Sequence, residues 1–383
     1  TYINLIFLAK LTDRIPIIAP FVPTHVGKIN DAGLPPFGDV FDIPRLAEAI
    51  HLPVLEWRDV KLPAEPDQEP ETIGGWTAWA RWDMFRGGLP RPNSVERTLG
   101  LEVSYTNIPY TATMRDRLRV PDGVHVLLME LMKLSYHSEV VRATHNEQNF
   151  ESDGVLKVKL PPDEHIMTFD FLYFATLTID FEWAGPWFLP WNMIGTHCHW
   201  HPTIEQLAQQ YLMRLFVVDS REDIPAYIAI HARRKDFDGQ CHGRPKEECF
   251  APLSAFEKRV EEIRYELGMR SEFQEPGSDI ASIPVIMTSD ETDQSFWDGV
   301  RGYGWKMIDH SPNGEDTAAK HGPWYPHGHG FVGTAGSTMS IIASRRVEDW
   351  QGGVSREVAW GGEGADDHEP QLTGYRENQA RFT

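Results

Sequence analysis

The chain has 383 residues, a length typical of two domains, and 41% hydrophobic residues, enough to form folded cores. Its 36 Lys and Arg against 56 Asp and Glu give a net charge of -20. This balance argues against nucleic acid or an anionic membrane surface as a partner, because both reward spread positive charge. No apolar run of about 18 residues and no signal peptide is present.

Helical and strand-like patterns alternate over roughly the first half of the chain, which is typical of an α/β domain. Before residue 109 the patterns predict a helix over 3–11, a strand over 15–21, a helix after Ile43-Pro44, a surface loop over 59–75, and strands over 53–57 and 101–108. The run 125–134 fits a helix or a buried strand, and the apolar run 165–179 is predicted to close the first core.

The chain opens without Met inside an apolar helical pattern. We therefore expect that an upstream segment, with any targeting information, has been removed. The aromatic, Pro-containing stretch 181–191 suggests a crossing between two domains.

A second α/β pattern follows. A helix over 203–217 leads into the apolar strand Tyr227 to Ile230, and strands are predicted over 283–287, 305–308 (an edge strand) and 330–333. Helices are predicted around 256–267 and after residue 338, and residues 351–383 read as a polar tail.

Three of these strands end in polar loops, at 231–237, 288–291 and 333–338. The first loop carries Arg233, Arg234 and Lys235 in an otherwise acidic chain. Ligands of open parallel sheets bind outside the carboxyl ends of the strands, so this cationic cluster predicts an anionic ligand, with phosphate the first candidate. Arg233 directly follows the strand, and its planar fork suits a pyrophosphate; the alternative is a surface ion pair with Asp236.

The loop GTAGST, 333–338, combines glycines, hydroxyls and a predicted helix start, which favours a phosphate cradle of backbone N–H groups. Its spacing matches neither of the two common glycine-rich nucleotide motifs. The alternative is an ordinary turn in which Ser337 or Thr338 caps the helix.

The cysteines and histidines leave two further alternatives open. Cys241 and Cys249 flank a short polar loop, which fits either a local disulfide in a secretory compartment or two unpaired thiols. In HCHWH, 197–201, three alternating histidines fit a zinc site, but the Trp and the following Pro202 fit a packed connection better.

Asp236 and Asp238 match the D-x-D pattern that holds a divalent metal in many sugar-transferring enzymes. The neighbouring cations already supply positive charge at that point, so we expect no metal and no other cofactor. His231 is expected to be a satisfied core histidine rather than a catalyst.

Several of these stretches together resemble the GDP-fucose protein O-fucosyltransferase superfamily, most closely its fungal members. They are HARRKDF, the TSDE strand, GFVGTAGSTMS with its Arg-Arg helix, LAKLTDRIPIIAPF, FDIPRLAEAIHLPVLEW and CFAPLSAF. The resemblance implies an α/β fold of the GT-B type, with two Rossmann-like domains facing a cleft. It places an acceptor-side domain at 1–200 and a nucleotide-sugar-binding domain at 201–350, followed by the tail.

Carried over by motif, the resemblance implies that Arg233 grips the β-phosphate of the donor. The residues implied as donor contacts are His231, Asp236, Gly333, Thr334, Ser337 and Thr338, with Ser289 and Asp290 as further donor-side candidates. It also implies a secretory setting, in the Golgi or the endoplasmic reticulum, and membrane contact only through a segment outside this chain.

Two departures leave the catalytic base unnamed. The family's Gly-rich loop, which contains Asn, would lie before Thr1, and its acid-bearing helix is missing where WYP, 324–326, runs into HGHGFVG. We therefore expect chain to be missing between Pro326 and His327, whose Cα atoms would then be farther apart than the ~3.8 Å of a peptide bond.

The sequence thus predicts inverting, metal-independent transfer of fucose from GDP-fucose to a hydroxyl of a protein or glycan acceptor. One alternative is a same-fold transferase with another nucleotide sugar, such as a rhamnosyl donor. The other is a nucleotide-binding or glycan-binding module without catalysis.

Overall fold

The computed structural model describes residues 1–22, 33–65, 67–82, 88–113, 125–179, 182–185, 187–270, 280–308, 328–362 and 364–366, with only the backbone described for Trp82, Ser94, Asp236 and Gln240. The predicted junction between Pro326 and His327 lies outside these residues. The chain forms two compact units, Thr1–His201 and Pro202–Thr383. None of the helices in the described part is both long and apolar enough to span a bilayer.

Unit 1 is built from short parallel strand pairs and helices. Its strands are β1 (Ile17–Ile18), β2 (Leu55–Glu56), β3 (Glu71–Thr77), β4 (Leu101–Asn107), β5 (Val126–Leu127) and β6 (Ala175–Thr176). β1 pairs with β2, β3 with β4 and β5 with β6, each in parallel. Its helices are α1 (Tyr2–Leu11), α2 (Ile43–Ile50), α3 (Trp57–Val60), α4 (Trp79–Trp82), α5 (Ser94–Thr98), α6 (Leu128–Lys133), α7 (His137–Asn146) and α8 (Leu189–Met193).

The predicted helix over 3–11 is confirmed by α1, and the helix after Ile43-Pro44 by α2. α1 is apolar on most of its surface and contributes Ile6 and Phe7 to the core of unit 1. Its buried Asn4 donates hydrogen bonds to the carbonyl oxygens of Leu172 and Ala175, at 2.9 and 3.0 Å. This polar side chain therefore joins α1 to the segment that leads into β6.

The structure defines three predicted stretches of unit 1 more closely. The ambiguous run 125–134 contains both alternatives, strand β5 followed by helix α6. The loop predicted over 59–75 ends early, because β3 begins at Glu71. The apolar run 165–179 contributes to the core, as predicted, and forms the short strand β6, while a bridge from Phe169 to Trp76 joins it to β3.

Unit 2 contains a five-stranded sheet in which every neighbouring pair is parallel. Its strands are β7 (Ile228–Ala232), β8 (Val285–Ser289), β9 (Lys306–Met307), β10 (Gly330–Thr334) and β11 (Val354–Val358), in the spatial order β11-β10-β7-β8-β9. The helices are α9 (Pro202–Phe216), α10 (Lys246–Cys249), α11 (Leu253–Gly268), α12 (Gln294–Gly302) and α13 (Thr338–Gln351). The predicted edge strand is confirmed by β9.

The polar tail predicted from residue 351 is wrong over its first part, because β11 completes the sheet. Val354 and Val358 are fully buried, and the intervening Arg356 is buried as well. The Arg356 guanidinium forms ion pairs with Glu262 and Glu266 of α11. A buried charge needs a partner, and here the partners lie on a distant helix. The polar composition of this stretch therefore did not indicate a buried strand. Residues 367–383 lie outside the described part.

Cys241 and Cys249 are joined by a disulfide bond, with their Cα atoms 5.6 Å apart. This confirms the predicted local disulfide and rules out two unpaired thiols. The bridge closes the loop 241–249, which begins where the 3-10 helix Lys235–Cys241 ends. Phe250 packs beside the bridge and helps to bury it.

We expect one thiol per chain to react when the unfolded, unreduced protein is titrated with a thiol reagent. The sequence has three cysteines. The two in the bridge cannot react with the reagent, so only Cys198 should react. After reduction all three should react. Three reactive thiols before reduction would contradict the bridge.

Candidate functional site

The chain order of the unit 2 sheet reverses between β7 and β10. The connections from β7 lead to β8 and β9 on one side, whereas β10 and β11 lie on the other. In open α/β sheets, ligands bind in the crevice outside the carboxyl ends of the strands at such a reversal. The loops that follow Ala232 and Thr334 therefore frame the candidate site.

The hydroxyl of Thr334 joins these two loops. Its Oγ1 accepts a hydrogen bond from the backbone N–H of Arg233 at 2.9 Å and donates to the carbonyl oxygen of His231 at 3.2 Å. The side chain is buried. Thr334 therefore sets the path of the backbone that carries Arg233.

His231 is buried between β7 and the start of α13. Its Nδ1 lies 2.8 Å from Oγ of Ser340, and the same oxygen accepts a hydrogen bond from the backbone N–H of Thr334 at 3.1 Å. With 5% of its surface exposed, His231 is held as a core histidine, as the residue pattern predicted.

The turn after β10 brings α13 close to the sheet. A Cβ atom on Gly333 would lie 2.6 Å from Cβ of Ser340, so no side chain fits there. Gly336 has a positive φ of 73°, which lets the chain turn into the helix. Ser337 then caps α13, since its Oγ accepts from the N–H of Ser340 at 3.4 Å.

These contacts place the N-terminus of a 14-residue helix at the carboxyl edge of the sheet. First-turn N–H groups and the positive end of the helix dipole attract an anion at that position. Ser337 is buried, and its hydroxyl is used in the cap of α13. Thr338, the first helical residue, is partly exposed.

Arg233 brings a second positive charge to the same edge. Its Nε lies 3.6 Å from Oδ2 of Asp290, and its guanidinium carbon lies 5.8 Å from the ring centre of Phe237. The side chain is 11% exposed and that of Asp290 is 7% exposed. A carboxylate and an aromatic face thus orient a guanidinium that still reaches solvent.

Ser289 and Asp290, at the end of β8, brace this arrangement. Ser289 Oγ donates to the carbonyl oxygen of Ala232 at 2.7 Å, and Asp290 Oδ1 accepts from the N–H of Arg234 at 2.8 Å. Both residues are buried. They hold the backbone on either side of Arg233 in place.

Arg234 points to a different set of partners from Arg233. Its Nε donates to Oε2 of Glu291 at 2.9 Å, and its guanidinium lies over the rings of Phe250 and Phe296 at 4.9 and 4.8 Å. Burial raises the pKa of Glu291, but hydrogen bonds from the N–H of Asp293 and from Arg234 outweigh burial and hold the pKa below its usual value. Arg234 is therefore part of a structural ion pair.

Trp360, which lies in the predicted polar tail, lines a narrow pocket with Arg233, Arg234 and Thr334. Its ring stacks on Phe237, with centres 4.5 Å apart and planes 23° apart, and its Nε1–H donates to the carbonyl oxygen of Ala335 at 2.6 Å. The tryptophan thus touches both the support of Arg233 and the turn before α13. In the sequence, the apolar residues Val354, Val358 and Trp360 were the signal that this stretch is ordered.

Two further hypotheses from the sequence concern Asp236 and the HCHWH stretch, 197–201. Asp236 lies in the 3-10 helix after β7, but its side chain is outside the described part. In HCHWH, Trp200 stacks on Phe41 with ring centres 5.0 Å apart, and Cys198 is buried, as a packed connection requires. Among the described side chains, no group of three His, Cys, Asp or Glu is arranged to hold a metal ion.

Comparison with known proteins finds a likeness in three dimensions. No protein-family model and no curated protein matches the sequence. Crystal structures of POFUT1 in complex with GDP-fucose match with a TM-score of 0.52 at 12% identity over 93% of each chain, and with 0.51 at 13% identity over 94% of this chain and 93% of that one. A structure of POFUT1 in complex with GDP matches with a TM-score of 0.52 at 14% identity over 93% of each chain.

At this level of identity the likeness concerns the fold. Each match extends over nearly the whole length of this chain and of the POFUT1 chain. The fold expected from the sequence resemblance is confirmed: the chain has the mixed α/β, GT-B-type fold of POFUT1.

Proposed function

We propose that this protein is a glycosyltransferase that transfers fucose from GDP-fucose to a hydroxyl group of a protein or glycan acceptor, with inversion at the sugar. The observation that carries the proposal is the pairing of Arg233 with the N-terminus of α13 at the chain reversal of the unit 2 sheet. The structures of similar fold are described as POFUT1 in complex with GDP-fucose or GDP, which supports a GDP-linked donor.

In the proposed reaction, the acceptor oxygen attacks the anomeric carbon while the bond from that carbon to the β-phosphate oxygen breaks. The bonding electrons leave with GDP, so negative charge grows on the β-phosphate. A preorganised guanidinium and helix N-terminus stabilise this charge more in the transition state than in the ground state, which lowers the barrier. The acceptor proton passes to a base that is not assigned.

The other predicted donor contacts divide into two groups in this proposal. His231, Thr334, Ser289 and Asp290 act by positioning, because each holds the backbone or the guanidinium at the edge of the sheet. Gly333 lets α13 approach, and the turn up to Ser337 and Thr338 presents N–H groups to the phosphates. Asp236 remains a proposed donor contact.

We further propose that transfer needs no metal ion, since Arg233 and the helix N-terminus supply positive charge where the diphosphate would lie. The compartment we propose is the lumen of the secretory pathway. The bridge between Cys241 and Cys249 supports this, because disulfides persist in oxidising compartments.

The donor is tested by isothermal titration calorimetry with GDP, UDP and ADP, each with EDTA and with Mn²⁺. We expect GDP to bind at least ~10-fold more tightly than the other two, a difference of about 1.4 kcal/mol, and EDTA to leave that affinity unchanged. A panel of nucleotide sugars in a hydrolysis assay then identifies the sugar. Preference for another nucleotide, or binding that requires Mn²⁺, would contradict the proposal.

Arg233→Lys keeps the charge but loses the planar fork. We expect the rate of fucose transfer to fall by at least ~100-fold, about 2.7 kcal/mol, which is the scale of losing one donor to a developing oxyanion. The melting temperature should change little, because lysine keeps a positive charge beside the buried Asp290. The measurement is GDP release from GDP-fucose in the presence of acceptor.

Arg234→Lys is the matched control. It disturbs the ion pair with Glu291 and the contacts with Phe250 and Phe296, so we expect a lower melting temperature and near-normal activity per folded molecule. If Arg234→Lys abolishes transfer below its melting temperature while Arg233→Lys stays active, the phosphate role belongs to Arg234.

Trp360→Phe keeps a ring beside Phe237 but removes the hydrogen bond to Ala335. We expect the affinity for GDP to fall by about 2- to 10-fold, the range of one net hydrogen bond of roughly 0.5 to 1.5 kcal/mol. Trp305→Phe is the control, because Trp305 also stacks on a ring, that of Tyr303, but beside the edge strand β9. Equal losses of affinity in both variants would argue against a local role for Trp360.

A further inference from the structure

The segment after β11, which carries Trp360, is held by a buried ion pair between Arg259 of α11 and Asp366. The structure describes residues 359–362 and 364–366 of this segment, which we call the Trp360 segment. The side chain of Arg259 is fully buried, and that of Asp366 is 6% exposed. A charge withdrawn from water to this degree needs close partners, so its partners identify the part of the chain that it holds.

Asp366 uses both of its carboxylate oxygens and its backbone carbonyl. Its Oδ2 accepts from Nε of Arg259, and its carbonyl oxygen accepts from Nη2 of the same guanidinium, each at 2.8 Å. Its Oδ1 accepts from the backbone N–H of Ala359 at 2.7 Å. Because Ala359 directly precedes Trp360, both ends of the Trp360 segment are fastened to one point on α11.

Two further contacts hold the middle of the Trp360 segment against the disulfide-bridged loop, 241–249. The backbone N–H of Gly361 donates to the carbonyl oxygen of Cys249 at 2.9 Å. Gly362 lies so close to α10 that a Cβ atom there would be 2.8 Å from the carbonyl oxygen of Glu247. The segment therefore contacts both α11 and the bridged loop, and the indole of Trp360 extends from it to the candidate site.

We propose that Arg259 and Asp366 are positioning residues of the candidate site. By fastening both ends of the Trp360 segment, they hold the indole of Trp360 against the ring of Phe237 and within hydrogen-bonding distance of Ala335. Neither residue needs to contact a ligand in this role.

The ion pair reaches the site through the two groups that Trp360 touches. The ring of Phe237 lies beside the guanidinium of Arg233, and Ala335 belongs to the turn that leads into α13. These are the supports of the two positive groups that would meet the diphosphate. The consequence for GDP binding rests on the proposed function, whereas the position of the indole does not.

A second ion pair of α11 provides a matched comparison. Arg356 of β11 pairs with Glu266 at 2.7 Å, and the arginine side chain is also buried. That pair holds β11 itself, which is already paired with β10 along all five of its residues. A buried ion pair alone is weak evidence for a role in stability, because desolvation offsets much of the attraction. Breaking the two pairs in the same way therefore separates stability from positioning.

The first test follows the indole directly, without any nucleotide. The 383-residue protein, with its 13 tryptophans replaced by 5-fluorotryptophan, is measured by ¹⁹F NMR, and the Trp360 signal is the one missing from Trp360→Phe. In Asp366→Asn the amide has a single oxygen and cannot accept from both Ala359 and Arg259. We expect the Trp360 signal to shift by more than its linewidth or to broaden. Glu266→Gln, the matched change in the second pair, should leave it in place.

The second test measures GDP affinity by calorimetry. We expect Asp366→Asn to weaken GDP binding by about 2- to 10-fold, the range of the hydrogen bond that a displaced Trp360 loses. In a Trp360→Ala background the same substitution should change the affinity by less than ~2-fold, because no indole is left to position. Glu266→Gln should lower the melting temperature and keep the affinity for GDP within ~2-fold of the unsubstituted protein.

Three outcomes would overturn the inference. An unchanged Trp360 signal in Asp366→Asn, or an equal change in Glu266→Gln, would make the pair a general structural contact. A loss of GDP affinity that persists in full in the Trp360→Ala background would mean that Asp366 acts by another route. A shifted signal with unchanged GDP affinity would remove the link to the site.

Two further results keep the test decisive. If Asp366→Asn does not fold, Arg259→Lys takes its place with the same expectations, since lysine keeps the charge but loses the planar fork that bonds Asp366 twice. If the unsubstituted protein does not bind GDP, the proposed function fails, and the fluorine spectra still decide whether the pair positions Trp360.

Discussion

The candidate site depends on one hydroxyl group, that of Thr334, which holds two neighbouring strand ends together. It receives the N–H of Arg233 and donates to His231, so the end of β7 and the turn after β10 cannot move apart independently. The reversal of chain order makes this the point where two loops diverge and leave a crevice. This hydroxyl extends the pairing of β7 and β10 beyond its last pair, His231 and Gly333, and so helps to fix the guanidinium relative to the helix N-terminus.

Much of unit 2 supports this arrangement from behind. Asp290 orients Arg233 and Ser289 ties β8 to β7, while Arg234 is held by Glu291 and two aromatic rings. Preorganised charges of this kind stabilise a developing anion without rearrangement during the reaction. In the proposed reaction, most of these polar residues therefore keep Arg233 in position and do not contact the donor themselves.

The two units differ in how complete their sheets are. Unit 2 has five strands that pair continuously from β11 to β9. Within its described residues, unit 1 has three separate parallel pairs instead. The loops of the candidate site thus follow strands of the continuous sheet.

The sequence by itself determined the features that depend on local pattern. Apolar runs marked α1, β7 and β10, and an arginine directly after an apolar strand marked Arg233, because period and chain position are readable without a partner. Only the tertiary structure separated the surroundings of the two arginines, since Arg233 and Arg234 differ in their neighbours and not in their chemistry. It also decided that residues 354–358 form a buried strand, because Arg356 in that strand pairs with glutamates about 90 residues away in sequence. Pairing across such distances is set by packing, which no local pattern contains.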